Sequence, residues 1–176
     1  MAEPHREKGL LGLGSNVGER RANLQAAADA LTLAGVELLA SSSVYDTDPV
    51  GELPHQPTFL NACLLVRTEL DPLELLAAVK RIERELGREQ PAPRHGPRTI
   101  DVDILLIGAQ QLEHERMSLP HAQLLNRRFV LIPALELDFE LRAPSGRRLA
   151  DALAALPVDE GVRWAGPPLR VAGSQA

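Results

Sequence analysis

Hydrophobic and polar positions along the chain follow two periodicities, one typical of strands and one typical of helices. The apolar run Leu10–Leu13 predicts a first strand, and the alternation over residues 36–45 predicts a second. Between them, Asn16 followed by Glu19 is expected to cap a helix that ends at Gly35. The apolar face of that helix recurs at spacings of three and four, at Leu24, Ala27, Ala28 and Leu31.

A second set of elements follows a long loop over residues 46–58. Alternation from Phe59 to Thr68 predicts a third strand, with Phe59, Asn61 and Cys63 on one face. The segment Asp71-Pro72-Leu73-Glu74 is typical of a helix start, and Gly87 is expected to end that helix. Its apolar stripe comprises Leu75, Val79, Ile82 and Leu86. After a second long loop over residues 88–98, Thr99–Ile107 predicts a fourth strand.

This order of elements, β-α-β-β-α-β, predicts an α+β fold of the ferredoxin-like type. In such a sandwich, helices pack on one face of an antiparallel sheet, and the other face is left for a ligand or a partner. C-terminal elaborations are expected: a small hairpin over 110–117, an apolar run over 126–135 and a short helix over 149–156. We expect a flexible N-terminus (1–8), one catalytic domain (9–156) and a mobile C-terminal tail (157–176).

Composition narrows the class of protein. A chain of 176 residues is long enough for one domain with a sizeable core. Its one cysteine, Cys63, excludes an internal disulfide and a cysteine-based zinc site. The net charge of −5 argues against general nucleic-acid binding. The sequence shows neither an apolar stretch as long as a membrane span nor the apolar core of a signal peptide, so we expect a cytoplasmic protein with no membrane partner.

Two carboxylates provide the strongest chemical signal. Asp101 and Asp103 are two apart on a strand and therefore share a face, about 7 Å apart at the backbone. Their side chains can converge on Mg²⁺, and two metal ions about 4 Å apart are the usual device for phosphoryl or pyrophosphoryl transfer. The alternative is a solvated strand face. Against it, the pattern places the apolar Leu105 and Ile107 on the same face.

A cluster of basic residues leads directly into the carboxylates. Arg88, Arg94, His95 and Arg98 lie in the second loop. Arginine binds phosphate oxygens in a bidentate manner, so this segment suits a polyphosphate. The alternative is a solvated loop, but the closeness of Arg98 to the aspartates favours the functional interpretation.

Weaker signals come from three other places. Gly12, Gly14 and Gly18 are one residue off a dinucleotide-binding spacing, and a tight turn into a helix is an equal alternative. Phe59 and Asn61 share a strand face that suits a planar heterocycle, although Phe59 could simply belong to the core. Further phosphate contacts could come from Pro120-His121 and Asn126-Arg127-Arg128-Phe129.

Taken together, these motifs resemble the 6-hydroxymethyl-7,8-dihydropterin pyrophosphokinase family of the folate pathway. The resemblance covers roughly residues 10–141, and its blocks occur in family order. The most specific block is Gly96-Pro97-Arg98-Thr99-Ile100-Asp101-Val102-Asp103-Ile104. The other blocks are Leu11-Gly12-Leu13-Gly14-Ser15-Asn16, residues 43–51, Gln56-Pro57-Thr58-Phe59-Leu60-Asn61-Ala62, Leu119-Pro120-His121 and Asn126-Arg127-Arg128-Phe129.

The resemblance implies that ATP donates a pyrophosphoryl group to the hydroxymethyl group of the dihydropterin, leaving AMP. It implies catalytic roles for Arg88, Arg98, Asp101 and Asp103, with the two aspartates holding two Mg²⁺ ions. Pterin binding is implied for Thr47, Pro49, Val50, Gly51, Phe59, Asn61 and Phe129. ATP binding is implied for Lys80, Glu83, Arg88, Arg94, Arg98, Ile104, Ser118, His121 and Arg127.

Small molecules are thus the expected partners, and we expect a monomer. Departures from the family pattern at Gln90, Pro91, His95 and Ala122 concern loop closure and nucleotide contacts. Two rival functions use the same fold. A non-catalytic ligand-binding or regulatory module would need neither the aspartate pair nor the arginine loop. A ferredoxin-like RNA binder would need exposed aromatics on the central strands and a basic charge.

Overall fold

A six-stranded antiparallel sheet organises the part of the chain that the computed structural model describes, which is residues 6–49, 56–87, 99–158 and 161–172. Every helix in these ranges is too short or too polar to cross a membrane. The strands are β1 (Glu7–Ser15), β2 (Glu37–Ser41), β3 (Val44–Thr47), β4 (Phe59–Thr68), β5 (Asp101–Ile107), β6 (Leu112–His114), β7 (Met117–Leu119) and β8 (Val162–Gly166). The helices are α1 (Arg20–Leu33), α2 (Pro72–Glu85), α3 (Arg128–Leu137) and α4 (Leu149–Ala155).

The strand order confirms the ferredoxin-like prediction. The sheet runs β5-β1-β4-β3-β8, and β2 pairs with β4 farther along the edge that β3 also uses. The first strand lies between β4 and β5 and is antiparallel to both. Strands β6 and β7 form the separate small hairpin that the sequence predicts.

Strand alternation divides the apolar residues between two cores, one on each face of the sheet. On one face, Leu11, Leu13 and the even-numbered residues of β4 from Leu60 to Val66 pack with the apolar stripes of α1 and α2. On the other face, Leu10 and Cys63 pack with α3 and α4. The topology alone predicted that this second face would be left open, and this prediction is only partly right. The C-terminal helices cover part of it, and the uncovered part forms a cleft.

The two long helices start differently. Helix α2 starts as predicted and has a capping box: the Glu74 amide donates to Asp71 Oδ1 (2.9 Å), and the Asp71 amide donates to Glu74 Oε2 (3.3 Å). The predicted cap of α1 by Asn16 is wrong, since α1 begins at Arg20 and its N-cap residue, Glu19, makes no side-chain cap bond. Buried Asn16 instead donates to the Pro57 carbonyl (3.3 Å).

The predicted second strand over 36–45 is interrupted at two serines. The Ser42 hydroxyl accepts a bond from the Cys63 amide (2.9 Å) and donates to the Ser43 carbonyl (2.7 Å). The amide and hydroxyl of Ser43 donate to Glu136 of α3. The backbone bond from the Ser42 amide to the Cys63 carbonyl remains (2.9 Å), but side chains replace other bonds of the ladder, so the segment divides into β2 and β3.

Strand β5 starts two residues later than predicted and contains a β-bulge. Leu10 pairs with Leu106 and Leu11 pairs with Ile104, so Leu105 is the extra residue. After the bulge the faces exchange: Leu106 joins the α3/α4 core and Ile107 joins the α1/α2 core. The prediction that Ile107 shares the face of the aspartates is therefore wrong.

The C-terminal segment expected to be a mobile tail contains a strand. Strand β8 pairs antiparallel with β3, and Leu169 and Val171 are buried in the α1/α2 core. An edge strand with one exposed face, followed by two prolines, lacks the periodicity that would have revealed it. At the other end of the chain, β1 already begins at Glu7, within the expected flexible N-terminus.

Candidate active site

The uncovered part of the second sheet face forms a cleft of about 410 Å³. Its floor comes from β1, β4 and β5, one side from the end of β3, and the other side from residues 121–123 and the start of α3. Predicted site residues that line this cleft are Thr47, Phe59, Asn61, Asp101, Asp103, His121, Arg127 and Phe129.

Other predicted site residues lie elsewhere or outside the described ranges. The side chain of Ile104 is buried in the α1/α2 core, on the opposite face of the sheet, so only its backbone could contact a ligand. Pro49, Lys80, Glu83 and Ser118 do not line the cleft. The predictions for Val50, Gly51, Arg88, Arg94 and Arg98 fall outside the residues that the structure describes.

Two glycines of the Gly12, Gly14 and Gly18 motif, Gly12 and Gly14, lie within β1, where they make room on the cleft floor. A Cβ at Gly14 would lie 2.8 Å from Asn61 Oδ1, and one at Gly12 would lie 3.4 Å from Leu105 Cδ1. Only Gly18, with φ +71°, belongs to the turn into α1. The dinucleotide-like spacing therefore reflects a strand with a flat cleft face, and not a phosphate loop.

One half of the cleft presents aromatic rings and an oriented amide. Phe59 and Asn61 point into it from β4, and Phe129 from the start of α3. The Asn61 amide donates to the hydroxyl of Thr47 on β3. The Arg127 guanidinium lies 5.5 Å from the centroid of the Phe129 ring, a cation–π distance.

The other half presents two carboxylates. Asp101 and Asp103 lie side by side on β5, on the cleft face with Leu105, as the alternation predicted. Burial, with the neighbouring charges of Asp101 and Glu83, raises the pKa of Asp103 to about 7, although Arg127 and Lys80 act in the opposite direction. The protein thus holds acidic charge in a place where a cation would stabilise it.

The donor set fits a hard divalent cation that is bound only in part by the protein. Within the described ranges, no cluster of three or more His, Cys, Asp or Glu side chains could hold a metal. Two carboxylates leave most of the coordination positions to water and to ligand oxygens. Mg²⁺ is usually bound in this way, through one or two carboxylates together with substrate phosphates.

Directly behind the aspartates, Glu83 of α2 supports β5 from the opposite face. Its carboxylate is buried (1% exposed) and accepts a hydrogen bond from the amide of Val102 (2.9 Å), the residue between the two aspartates. Its second oxygen lies 3.3 Å from Lys80 Nζ. Glu83 thereby fixes the backbone that carries both cleft carboxylates.

His121 borders the cleft as a neutral group. Burial and the nearby Arg127 lower its pKa, with Asp101 acting against them. Its Nδ1 accepts a bond from the Gln123 amide (3.1 Å), so the proton of the neutral ring is on Nε2. His121 can therefore donate one hydrogen bond at neutral pH without adding charge.

Helix α3 is tied to β3 through Glu136. This carboxylate accepts bonds from the Ser43 hydroxyl (2.6 Å) and the Tyr45 hydroxyl (2.7 Å). Burial acts to raise the pKa of Glu136, but these hydrogen bonds lower it overall. The tie holds α3, and so Phe129, opposite the β4 side of the cleft. No local pattern could reveal this tie, because its members are 91 and 93 residues apart.

Sequence reasoning also missed some lining residues. Asp48, Cys63, Gln123 and Val130 contribute to the cleft walls. Alternation along β4 already placed Cys63 on the face of Phe59 and Asn61, although without a role in the site. The others lie at the ends of elements, where alternation does not define which way a side chain points.

Comparison with known proteins agrees with this geometry. Residues 10–139 match the family model described as 7,8-dihydro-6-hydroxymethylpterin-pyrophosphokinase (HPPK). A relative from Pseudomonas aeruginosa, named 2-amino-4-hydroxy-6-hydroxymethyldihydropteridine pyrophosphokinase, is 45% identical over 148 residues, which is 84% of this chain and 90% of the relative. The chain belongs to the HPPK family. It is accordingly an enzyme of the pyrophosphokinase class that serves folate biosynthesis.

Two other HPPK relatives extend the comparison. A Bacillus subtilis protein of the same name is 40% identical over 154 residues, covering 87% of each chain. A solved structure titled HPPK-DHPS in complex with substrates superposes with a TM-score of 0.67 at 14% identity and covers 85% of this chain. This chain spans 43% of that longer one, so the likeness concerns the fold of the HPPK part alone.

The raised pKa of Asp103 predicts a pH-dependent effect of Asp103→Asn on stability. The usual pKa of this carboxyl group is 3.8 and its pKa in the fold is about 7. As pH rises between these two values the fold loses stability, because the folded state holds this proton more tightly than the unfolded state. In EDTA at pH 8, Asp103→Asn should therefore raise Tm by a few degrees, and at pH 4 it should change Tm little. Differential scanning calorimetry measures both values.

The matched control is Glu115→Gln, which changes an exposed carboxylate in the turn between β6 and β7. It should leave Tm unchanged at both pH values. A drop in Tm for Asp103→Asn at pH 8 would show that its carboxylate stabilises the fold and that the described electrostatics are wrong.

Proposed function

We propose that this chain transfers a pyrophosphoryl group from ATP to the hydroxymethyl group of 6-hydroxymethyl-7,8-dihydropterin, in a reaction that requires Mg²⁺. The products are AMP and the pterin diphosphate. The observation that carries the proposal is the arrangement of the cleft: Phe59 and Asn61 project from β4, the paired carboxylates project from β5, and β1 lies between them. A flat heterocycle and a polyphosphate need these two environments next to each other.

The pterin is assigned to the aromatic half. Its bicyclic ring would lie between Phe59 and Phe129, since aromatic faces favour stacked planar partners. The Asn61 side chain, held by Thr47, would present an amide to the pyrimidinone edge of the ring. Contacts from Pro49, Val50 and Gly51 stay predictions from the resemblance.

Asp101 and Asp103 would hold Mg²⁺ at the other end of the cleft, and two ions are the number that the family resemblance implies. When bound, such ions neutralise phosphate charge and orient the transferred group. The raised pKa of Asp103 supports this assignment, because a neighbouring cation offsets the cost of ionising a buried carboxylate.

The chain's own cleft residues would complete the phosphate environment. Arg127 supplies a permanent cation and His121 a neutral donor at the same end as the carboxylates. Further phosphate or nucleotide contacts are proposed from the resemblance for Lys80, Glu83, Arg88, Arg94, Arg98, Ser118 and the backbone of Ile104.

The reaction itself needs little covalent help from the protein. The pterin hydroxymethyl oxygen attacks the β-phosphorus of ATP and loses its proton, while the bond from that phosphorus to the α–β bridging oxygen breaks and releases AMP. Catalysis would come from holding the two substrates in line and neutralising charge. Action as a cytoplasmic monomer stays a prediction.

Loss of either cleft aspartate should abolish the reaction while the fold remains intact. With ATP, Mg²⁺ and the hydroxymethyldihydropterin, the wild type should release AMP, and omission of any one component should stop the release. Asp101→Ala and Asp103→Ala should each lower kcat roughly a thousandfold, since each removes several kcal/mol of charge stabilisation. Chromatographic quantification of AMP measures this.

Asp151→Ala on α4 is the control and should keep wild-type kcat. Full activity of either cleft variant at saturating Mg²⁺ would contradict the metal assignment. Pterin binding by the wild type without any AMP release would instead support the non-catalytic, ligand-binding alternative.

The stacking assignment predicts a selective loss of pterin affinity. Phe59→Ala and Phe129→Ala should each raise KM for the pterin by about tenfold, because one aromatic contact is worth roughly 1 kcal/mol or more. KM for ATP should change by less than about twofold. Steady-state kinetics with each substrate varied in turn separates the two effects.

Phe139→Ala is the matched control, because this ring is 59% exposed and does not line the cleft. It should leave both KM values unchanged. Equal increases in KM for ATP and pterin in the Phe59 variant would place its ring outside the pterin site.

A further inference from the structure

Arg20, the first residue of α1, contacts β3 and the residue just before β4, the two strands that carry the pterin side of the cleft. Its Nη1 donates to the Thr58 carbonyl (2.9 Å) and to the Thr58 hydroxyl (3.0 Å). The same nitrogen lies 3.6 Å from Asp46 Oδ1 of β3. One guanidinium thus connects β3 to the residue that immediately precedes β4.

These contacts lie on the helix side of the sheet, directly behind the cleft residues. Asp46 pairs with Leu60, whose side chain is in the α1/α2 core, while the neighbouring pair, Thr47 and Phe59, faces the cleft. Arg20 therefore fixes the strand ends that carry Phe59 and Thr47 without itself touching the cleft.

The Asp46 carboxylate makes this contact more than incidental. Its Oδ1 is buried and has no hydrogen-bond partner within the described ranges, so the Arg20 ion pair is the interaction that offsets its charge there. Removing one member of a partly buried ion pair leaves the other charge poorly compensated. Loss of Arg20 would thus loosen the pairing of β3 with β4 at the cleft.

The N-terminal turn motif explains how Arg20 reaches this position. Asn23 of α1 donates to the Ser15 hydroxyl (3.2 Å) and to the Val17 carbonyl (2.9 Å), which fixes the turn between β1 and α1. Asn16 of the same turn donates to the Pro57 carbonyl (3.3 Å). The segment that looked like a nucleotide loop is instead built to hold the start of β4.

We propose that Arg20 is a positioning residue for the pterin: it holds Thr47 of β3 opposite Phe59 of β4, and so places the hydroxyl that orients the Asn61 amide. The inference rests on the proposed pterin function. It assigns to Arg20 an effect on the heterocycle half of the cleft alone, because its contacts are with β3 and the start of β4 and not with the strand that carries the aspartates.

The test is Arg20→Gln, with kinetics measured for each substrate. KM for the pterin should rise about tenfold, as expected when a charge-assisted hydrogen bond is lost, while kcat and KM for ATP stay within about twofold. A purely structural role would lower the fraction of active enzyme, reducing kcat without this selective shift. Arg20→Lys keeps the positive charge near Asp46 but loses the planar guanidinium with its several donors, and it should give an intermediate KM for the pterin.

Arg21→Gln is the matched control. Arg21 is the next residue of α1 and also donates to two backbone carbonyls, those of Pro167 (2.9 Å) and Pro168 (3.1 Å). Within the described ranges it forms no hydrogen bond with β3 or β4. It should leave the pterin KM at the wild-type value. An equal rise in both arginine variants would overturn the proposal.

Thr58→Val keeps the test valid if Arg20→Gln folds poorly. This variant removes the hydroxyl acceptor and keeps the carbonyl, so the pterin KM should rise about threefold, and by less when Arg20 is already replaced. An unchanged pterin KM in Thr58→Val overturns the proposal. If wild-type enzyme itself fails to convert the pterin, the proposed function fails, which is a separate result.

Discussion

The placement of Asp103 beside Asp101, on a strand whose other face is buried in the α1/α2 core, is the constraint on which the rest of the site depends. Ionising Asp103 there is unfavourable, and its pKa of about 7 expresses that cost. Buried carboxylates that are costly to ionise concentrate at functional sites, where a ligand or a neighbouring charge offsets the cost. A bound cation is the compensation that the chemistry of the cleft supplies.

The fold keeps this pair in place through interactions on both faces of the sheet. Behind the strand, Glu83 bonds the backbone between the aspartates. In front of it, the glycines of β1 leave the floor flat, so a ligand can approach the carboxylates closely. The α3/α4 core covers a further part of that face beside the cleft.

Alternation along single strands could be predicted from sequence, and it placed the central site residues correctly. Phe59 and Asn61 of β4 and the aspartates of β5 lie on the predicted face. The α2 capping box was also predictable, because its bonds join residues three apart. These features depend on local geometry, which one segment of sequence determines.

Features that depend on distant residues could not be predicted. The bulge at Leu105 arises from pairing with β1, and the break at Ser42 and Ser43 from bonds to Cys63 and Glu136. Strand β8 forms because β3 offers it an edge, which its own sequence does not show. Arg20 looked like an ordinary helix residue until its contacts with Thr58 and Asp46 were known.

The most direct test of the central claim is a crystal structure of this chain with Mg²⁺, a non-hydrolysable ATP analogue and the hydroxymethyldihydropterin. The account predicts the pterin ring between Phe59 and Phe129, with Asp101 and Asp103 both ligating a cation that also contacts phosphate oxygens. A pterin bound away from both rings, or aspartates with no cation between them and the phosphates, would contradict it.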